Sequence, residues 1–322
     1  MFTEKSAIFA QKSYSLMTAK PADIQKEDFA SIGTTTMLKG IAILIIIAHH
    51  VGVNGYFCSY FNPLGGIGVA MFLFLSGYGL SESYKINKLH HFWKKKFLRI
   101  IIPYLLWIPL YHIAMHYSIL GSPQHLEIIP RFWFIEYLLI MYAAFYFLFP
   151  LKRGLAITSI LLMSVALFFI CNNLRAEQCF SFWAGVLFSL YKSYFEKNRN
   201  KLPIYAISLF LIGFIALVLK QQVEYLGFDH ESIVMKSINL LVKFPIGASL
   251  IFFFLNINAN HVKWLIVIGG LSYELYLSHI PFFMLIGKRV EYLILFIIQS
   301  AVLAYILGAA SKSVNKAISK YV

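Results

Sequence analysis

Ten apolar runs follow one another along the chain, near residues 39–59, 65–85, 99–118, 131–150, 154–172, 178–194, 203–220, 237–256, 263–285 and 292–311. A helix needs about 20 mostly apolar residues to cross ~30 Å of hydrocarbon, so 322 residues leave room for about ten crossings. Aliphatic and aromatic runs of this length, each ended by Gly, Pro, Asn or charge, fit helices. Barrel strands would show alternating segments of about ten residues. With 59% hydrophobic residues, 13% charged ones and a mean hydropathy of +0.71, there is too little polar surface to coat a water-soluble globule. The expected class is all-α, a polytopic integral membrane protein.

Charge placement tests this count, because loops on the cytoplasmic side carry the excess Lys and Arg. With the N-terminus inside, ten crossings put 21 of the 28 basic residues at inner ends, among them Lys39, Lys85, Lys88, Lys94, Lys95, Lys96, Arg99, Lys152, Arg153, Lys192, Arg199 and Lys312. The outer ends receive seven: Arg131, Arg175, Lys220, Lys236, Lys243, Lys288 and Arg289. One span more or fewer scrambles the asymmetry, so both termini are expected in the cytoplasm, with residues 1–36 a cytoplasmic tail and 37–322 a single membrane domain. The tail lacks an apolar core followed by a small-residue cleavage site, and no cleaved signal peptide is expected.

The net charge of +14 does not point to nucleic acid, since the cations are dispersed over helix ends. Orientation and anionic lipid headgroups account for it. Cys58, Cys171 and Cys179 fall near the expected outer face, where they read as small apolar residues or as one disulfide. No metal-ligand spacing and no nucleotide-binding glycine loop stands out.

Chemistry is expected where ionisable groups sit at membrane depth, because a charge there is costly, by at least ~2.5 kcal/mol. In the first run Lys39 and His50 are eleven residues apart, which leaves them about 20° from eclipsed and ~16 Å apart along one helix face. A cation at the inner mouth and an imidazole deep inside suggest a path entered from the cytoplasm. The bland alternative is a snorkelling lysine and histidines packed on carbonyls. The neighbouring His49 points to one side. Lys96 and Arg99, three apart in an inner loop that runs into the third span, would grip a multiply charged anion, although a positive-inside anchor looks similar. Further polar groups at depth are Ser76, Glu136, Glu274 and His279. A carboxylate beside an imidazole fixes its tautomer and stabilises the imidazolium, and Glu136 would reach His50 from the opposite leaflet. Tyr104, Trp133, Tyr273 and Tyr276 suit an aromatic belt or a substrate wall.

In order, Lys39 to His50, Phe72 to Tyr78, Lys96 to Tyr104, Trp133 to Glu136 and Ser272 to Pro281 resemble the motifs of the acyltransferase 3 family of membrane O-acyltransferases. Lys39 stands where the family has Arg, which loses bidentate geometry. The ten-residue gap selects His50 over His49. No hydrolase-like extension follows the tenth span, so a stand-alone membrane domain is expected.

The resemblance implies transfer of an acyl group, most often acetyl, from cytoplasmic acyl-CoA to a hydroxyl of a glycan or lipid-linked saccharide outside the inner membrane of a bacterium. The donor, acetyl-CoA, carries several phosphate charges, which Lys39, Lys96, Arg99 and Tyr104 would bind. His50 would act as general base or accept the acyl group briefly, Glu136 would orient it, and Ser76 would stabilise the oxyanion. Trp133, Tyr273, Tyr276 and His279 would wall the substrate. Partners are then the donor, the saccharide acceptor and membrane lipids, with no nucleic acid and no metal. The competing expectation is a transporter or flippase using the same buried His, Lys and Glu as a proton or substrate path.

Overall fold

The computed structural model describes residues 29–52, 62–117, 132–286 and 290–321, and these are helical with no strand among them. In chain order the helices are α1 (Ile32–Val51), α2 (Asn62–Asn87) and α3 (Phe92–Lys96), which runs through a π-helical turn at Phe97–Ile101 into α4 (Ile102–His116). Then come α5 (Trp133–Leu148), α6 (Arg153–Ile170), α7 (Asn173–Ala176), α8 (Ser181–Leu190), α9 (Lys192–Lys197), α10 (Leu202–Tyr225) and α11 (Ile233–Phe254). The last are α12 (Lys263–Gly270), α13 (Ser272–Ile286) and α14 (Val290–Tyr321). Arg131, Lys288, Arg289, Cys58 and the lysines of the N-terminal tail lie outside the described residues.

Among the described residues seven helical segments are long and apolar enough to cross a membrane: α1, α2, the continuous stretch Phe92–His116, α6, Arg199–Tyr225, α11 and Glu291–Ile318. The apolar α5 is shorter. Two of the ten expected spans are corrected in kind. The run near 178–194 yields the ten-residue α8, which ends at Leu190, with Tyr191 between it and α9. The run near 263–285 is broken at Leu271 into α12 and α13, just after Gly269 and Gly270, where helix propensity is low. The first helix also starts earlier than expected, at Ile32, because Ser31 caps it by accepting the Thr34 N–H.

The outward faces are apolar. Leu162 and Phe169 on α6, Ile215 on α10 and Ile294 on α14 are each more than half exposed. Such a continuous apolar surface is stable against lipid tails and not against water. The centre is α2, whose spanning window is 78% buried against 17–44% for the other six. It packs on α1, α8 and α11, while α1 also packs on α12 and α13. Small residues permit the closest crossing: a β-carbon on Gly77 would run into the Phe182 carbonyl, and one on Gly185 into that of Phe74.

Because α2 runs through the whole bundle, it serves as a ruler for the two ends. In its C-terminal half the Tyr78 hydroxyl donates to the Ala30 carbonyl at the start of α1, at 2.9 Å, so α1 and α2 are antiparallel. Glu82 there pairs with Lys85 at 2.5 Å and Lys192 at 3.6 Å. Near its first turn, Gly66 meets the ion pair of Lys243 and Glu177, and the Gln178 amide donates to the Gly66 carbonyl at 3.0 Å. Arg175, Lys236 and Lys243, counted as outer cations, all pair with carboxylates at this second end or on the elements joined to it. Cys171 and Cys179 are free thiols, and Cys179 is buried.

Candidate active site

Pro103 follows the π turn and shapes it. Proline has no N–H to return to the Arg99 carbonyl, and the ladder widens so that the Ile102 N–H bonds the Phe97 carbonyl five residues back. Lys96 and Arg99 therefore straddle the change of pitch and are not simple α-helical neighbours. Lys96 is half-buried, its Nζ 4.6 Å from the Tyr142 ring centre and 5.3 Å from that of Phe92. The exposed Arg99 and the half-buried Lys39 of α1 stand within electrostatic range of it and of each other. Three cations drawn from two distant segments converge at the Glu82 end of the bundle. Like charges gathered in this way raise a positive potential that attracts anions.

From this cluster α13 rises toward the far end of α1. The Tyr273 hydroxyl donates to the Ile100 carbonyl at 2.9 Å, which fastens the start of α13 to the π turn. Tyr273, Tyr276 and His279 follow at intervals of three, so they climb one side of the helix in steps of ~4.5 Å. The His279 ring lies 5.2 Å from that of His50, and His49 lies 4.9 Å from His50 on the other side. Ring contacts continue from His279 to Tyr276 at 6.0 Å, Tyr276 to Phe132 at 5.7 Å and Phe132 to Tyr104 at 6.0 Å. An aromatic wall thus joins His50 to Tyr104, five residues past Arg99. Trp133 sits half-buried at the start of α5, its ring edge-on to Phe134, which meets Tyr276 at 5.2 Å.

His279 is fully buried. Its Nδ1 lies 2.8 Å from the Leu275 carbonyl, an oxygen that can only accept, so Nδ1 carries the proton. Nε2 is then a bare acceptor, and among the described residues it has no hydrogen-bond partner. The Ser278 hydroxyl donates to the Ser300 carbonyl at 2.9 Å and holds this turn against α14.

Glu136 and Ser76, expected beside His50, sit apart from it. The Glu136 carboxylate receives Arg175 Nη2 at 2.6 Å, and its side chain is 53% exposed, so its role in the structure is an ion pair at the Lys243 end. Ser76 is hydrogen-bonded with Tyr142, beside the cations. It stands eleven residues, ~16 Å along α2, from Gly65, whose β-position falls on the His49 ring, so it does not share the depth of His50. Glu274 faces α14, with its Cγ 3.8 Å from the β-position of Gly308, on a different side of α13 from His279. His50 itself lies in the last turn of α1.

Sequence reasoning missed Tyr142, Gly65 and the buried pair of Glu177 and Lys243. Lys243 was the available signal, since a cation inside an apolar run calls for a partner. Among the described residues no three His, Cys, Asp or Glu side chains are grouped as a metal ion requires.

A sequence model of the acyltransferase 3 family, described as an acyltransferase domain, matches residues 36–311. No curated protein and no solved structure gives a match. The family match takes in Lys39, the π turn, the aromatic wall and both imidazoles, and the chain accordingly belongs to the acyltransferase 3 family, as a multi-pass membrane acyltransferase.

Proposed function

We propose that the protein moves an acyl group, acetyl in the first instance, from cytoplasmic acyl-CoA to a hydroxyl of a cell-envelope or surface glycan, with His50 as general base. The supporting observation is the wall of rings that leads from the cluster of Lys39, Lys96 and Arg99 to the paired imidazoles of His50 and His279. In this reading the Lys-rich end faces the cytoplasm of a bacterial inner membrane, where a polyphosphate donor is held by charge. The pantetheine arm follows Tyr104, Tyr273 and Tyr276 inward, a distance of the order of the ~16 Å between Lys39 and His50.

His50 takes the proton of the acceptor hydroxyl as its oxygen attacks the thioester carbonyl. The carbon–sulfur bond breaks, the carbon–oxygen ester bond forms, and the proton passes from His50 to the departing sulfur. His279 assumes the part that a carboxylate was expected to play. With its proton pinned on Nδ1, it offers Nε2 as an acceptor beside the imidazolium of His50. Glu136 and Ser76 take no part in this step.

The test uses purified protein in lipid nanodiscs with radiolabelled acetyl-CoA and an isolated envelope glycan. Label transfer that is lost in His50→Ala and retained, at a reduced rate, in His49→Ala supports the enzyme. Equal transfer by wild type and His50→Ala overturns the base assignment. Movement of intact glycan across sealed vesicles without acylation points instead to a flippase.

A further inference from the structure

Helix α6 is tied to the bundle at both ends and stands off from it between them. At one end the Arg153 guanidinium lies 5.4 Å from the centre of the Tyr191 ring, and at the other the Cys171 carbonyl accepts from Lys236 Nζ at 2.9 Å. Between these anchors a groove of about 180 Å³ opens, walled by Leu161 and Ser164 of α6, by Phe180, Trp183 and Ala184 at the start of α8, and by Phe244 of α11. Leu161 is 49% exposed and continues the apolar face of Leu162 and Phe169, so the groove opens toward lipid.

Protein interiors are close-packed, and an apolar cavity of ~150 Å³ already takes up a benzene-sized molecule. This groove therefore has room for a length of one hydrocarbon chain. Two buried donors in its walls, the Ser164 hydroxyl and the Trp183 Nε1–H, have no hydrogen-bond partner among the described residues, so the helices do not complete this seam by themselves. Hydrocarbon gains no hydrophobic free energy by leaving other lipid tails, so a chain is selected for the groove by where its head is held. The walls lead to the imidazole end of the bundle. Phe244 follows Lys243, and Phe180 stands two residues after Gln178. Lys243 and Gln178 both meet Gly66, next to Gly65, whose β-position falls on the His49 ring.

We propose that the groove between α6, α8 and α11 holds the hydrocarbon chain of a lipid-linked acceptor whose saccharide reaches His50, which makes a lipid-borne saccharide the substrate class. The inference rests on a saccharide being the acceptor. The chain of a bulk phospholipid is the competing occupant, and the experiment separates the two.

Acetyl transfer by the full-length protein in nanodiscs is measured to a lipid-linked saccharide isolated from a bacterial envelope and to the same saccharide freed from its lipid. Ala184→Phe fills the groove. Its kcat/KM for the lipid-linked acceptor falls about tenfold, the loss of a second point of attachment. The freed saccharide and the KM for acetyl-CoA keep their wild-type values, and Ala184→Ser, which leaves the space open, behaves as wild type. An unchanged kcat/KM for the lipid-linked acceptor, or an equal defect with both acceptors, overturns the proposal. Should wild type acetylate neither, the acceptor reading fails by itself. In that case, and where only one of the two is a substrate, photolabelling decides the groove. A glycolipid with a diazirine on its chain that labels α6 or α8 in wild type and not in Ala184→Phe upholds the assignment. No labelling, or equal labelling by phosphatidylcholine carrying the same diazirine chain, overturns it.

Discussion

The rings of His50 and His279 lie 5.2 Å apart, and the Leu275 carbonyl fixes the proton of His279 on Nδ1. Two imidazoles from helices 229 residues apart in sequence thus meet, and the proposed mechanism makes His50 the base and His279 the acceptor. If His279 stabilises the imidazolium of His50, His279→Ala lowers kcat by about 10²-fold, the lower range for a positioned proton-transfer group, and leaves the KM for acetyl-CoA unchanged. His279→Asn, with an amide that can still accept, recovers part of the loss. A wild-type kcat in His279→Ala removes His279 from the proton step.

Gly65 provides an independent handle on the same rings. A β-carbon there would stand 2.5 Å from His49 Cδ2 and 2.8 Å from Cγ, so Gly65→Ala pushes the ring aside and, through the contact at 4.9 Å, disturbs His50. A displacement of about 1 Å at a reacting group is expected to reduce kcat by up to about 10²-fold. His49→Ala in the Gly65→Ala background removes the clash and restores activity to the level of His49→Ala alone. Failure of the double variant to recover shows that Gly65 acts through the packing of α2 and not through His49.

The all-helical, multi-pass class and the eleven-residue spacing from Lys39 to His50 were legible because both are features of single segments. Whether two groups meet across segments was not. Glu136 had an apolar setting that suited an imidazole, yet its partner is Arg175, 39 residues away on a short helix that no periodicity announces. The depth of Ser76 follows once α1 and α2 are known to be antiparallel, but only a contact such as Gly65 with His49 sets their register. The break at Leu271 was hidden by hydropathy, which stays high across Gly269 and Gly270 while backbone preference does not.

If the cationic mouth holds the phosphates of acyl-CoA as proposed, Lys96→Ala and Arg99→Ala raise the KM for acetyl-CoA more than they lower kcat, because that role places both groups far from the thioester carbonyl. Lys39→Arg preserves binding, because a guanidinium keeps the charge and adds a second donor. A kcat defect without a KM change in either Ala variant argues that the cluster acts on the reacting atoms instead.

Sidedness has a direct measurement. Reporter fusions after Asn198, beside Arg199 at the Lys-rich end, score as cytoplasmic, and fusions after Glu231, which pairs with Lys236, score as external. Both on one side would contradict the antiparallel arrangement of the bundle, and a reversal of the two would turn the proposed donor mouth outward.

The pair of Lys243 and Glu177 is buried, with side chains 10% and 1% exposed, and it sits against Gly66 at the first turn of α2. Removing one member leaves a charge without its partner in a medium that solvates it poorly, whereas removing both leaves none. Lys243→Met or Glu177→Leu alone is expected to destabilise the protein by about 3–5 kcal/mol, the range for breaking a buried pair. The double variant, which replaces charge by packing of similar volume, lies much closer to wild type. Thermal unfolding in a fixed detergent gives the three values. Because the pair stands one residue from Gly65, the double variant also tests whether that end of α2 is held by charge or by shape. A wild-type Tm with reduced kcat shows that the ion pair sets the position of His49 through Gly65, and a wild-type kcat shows that packing alone is sufficient.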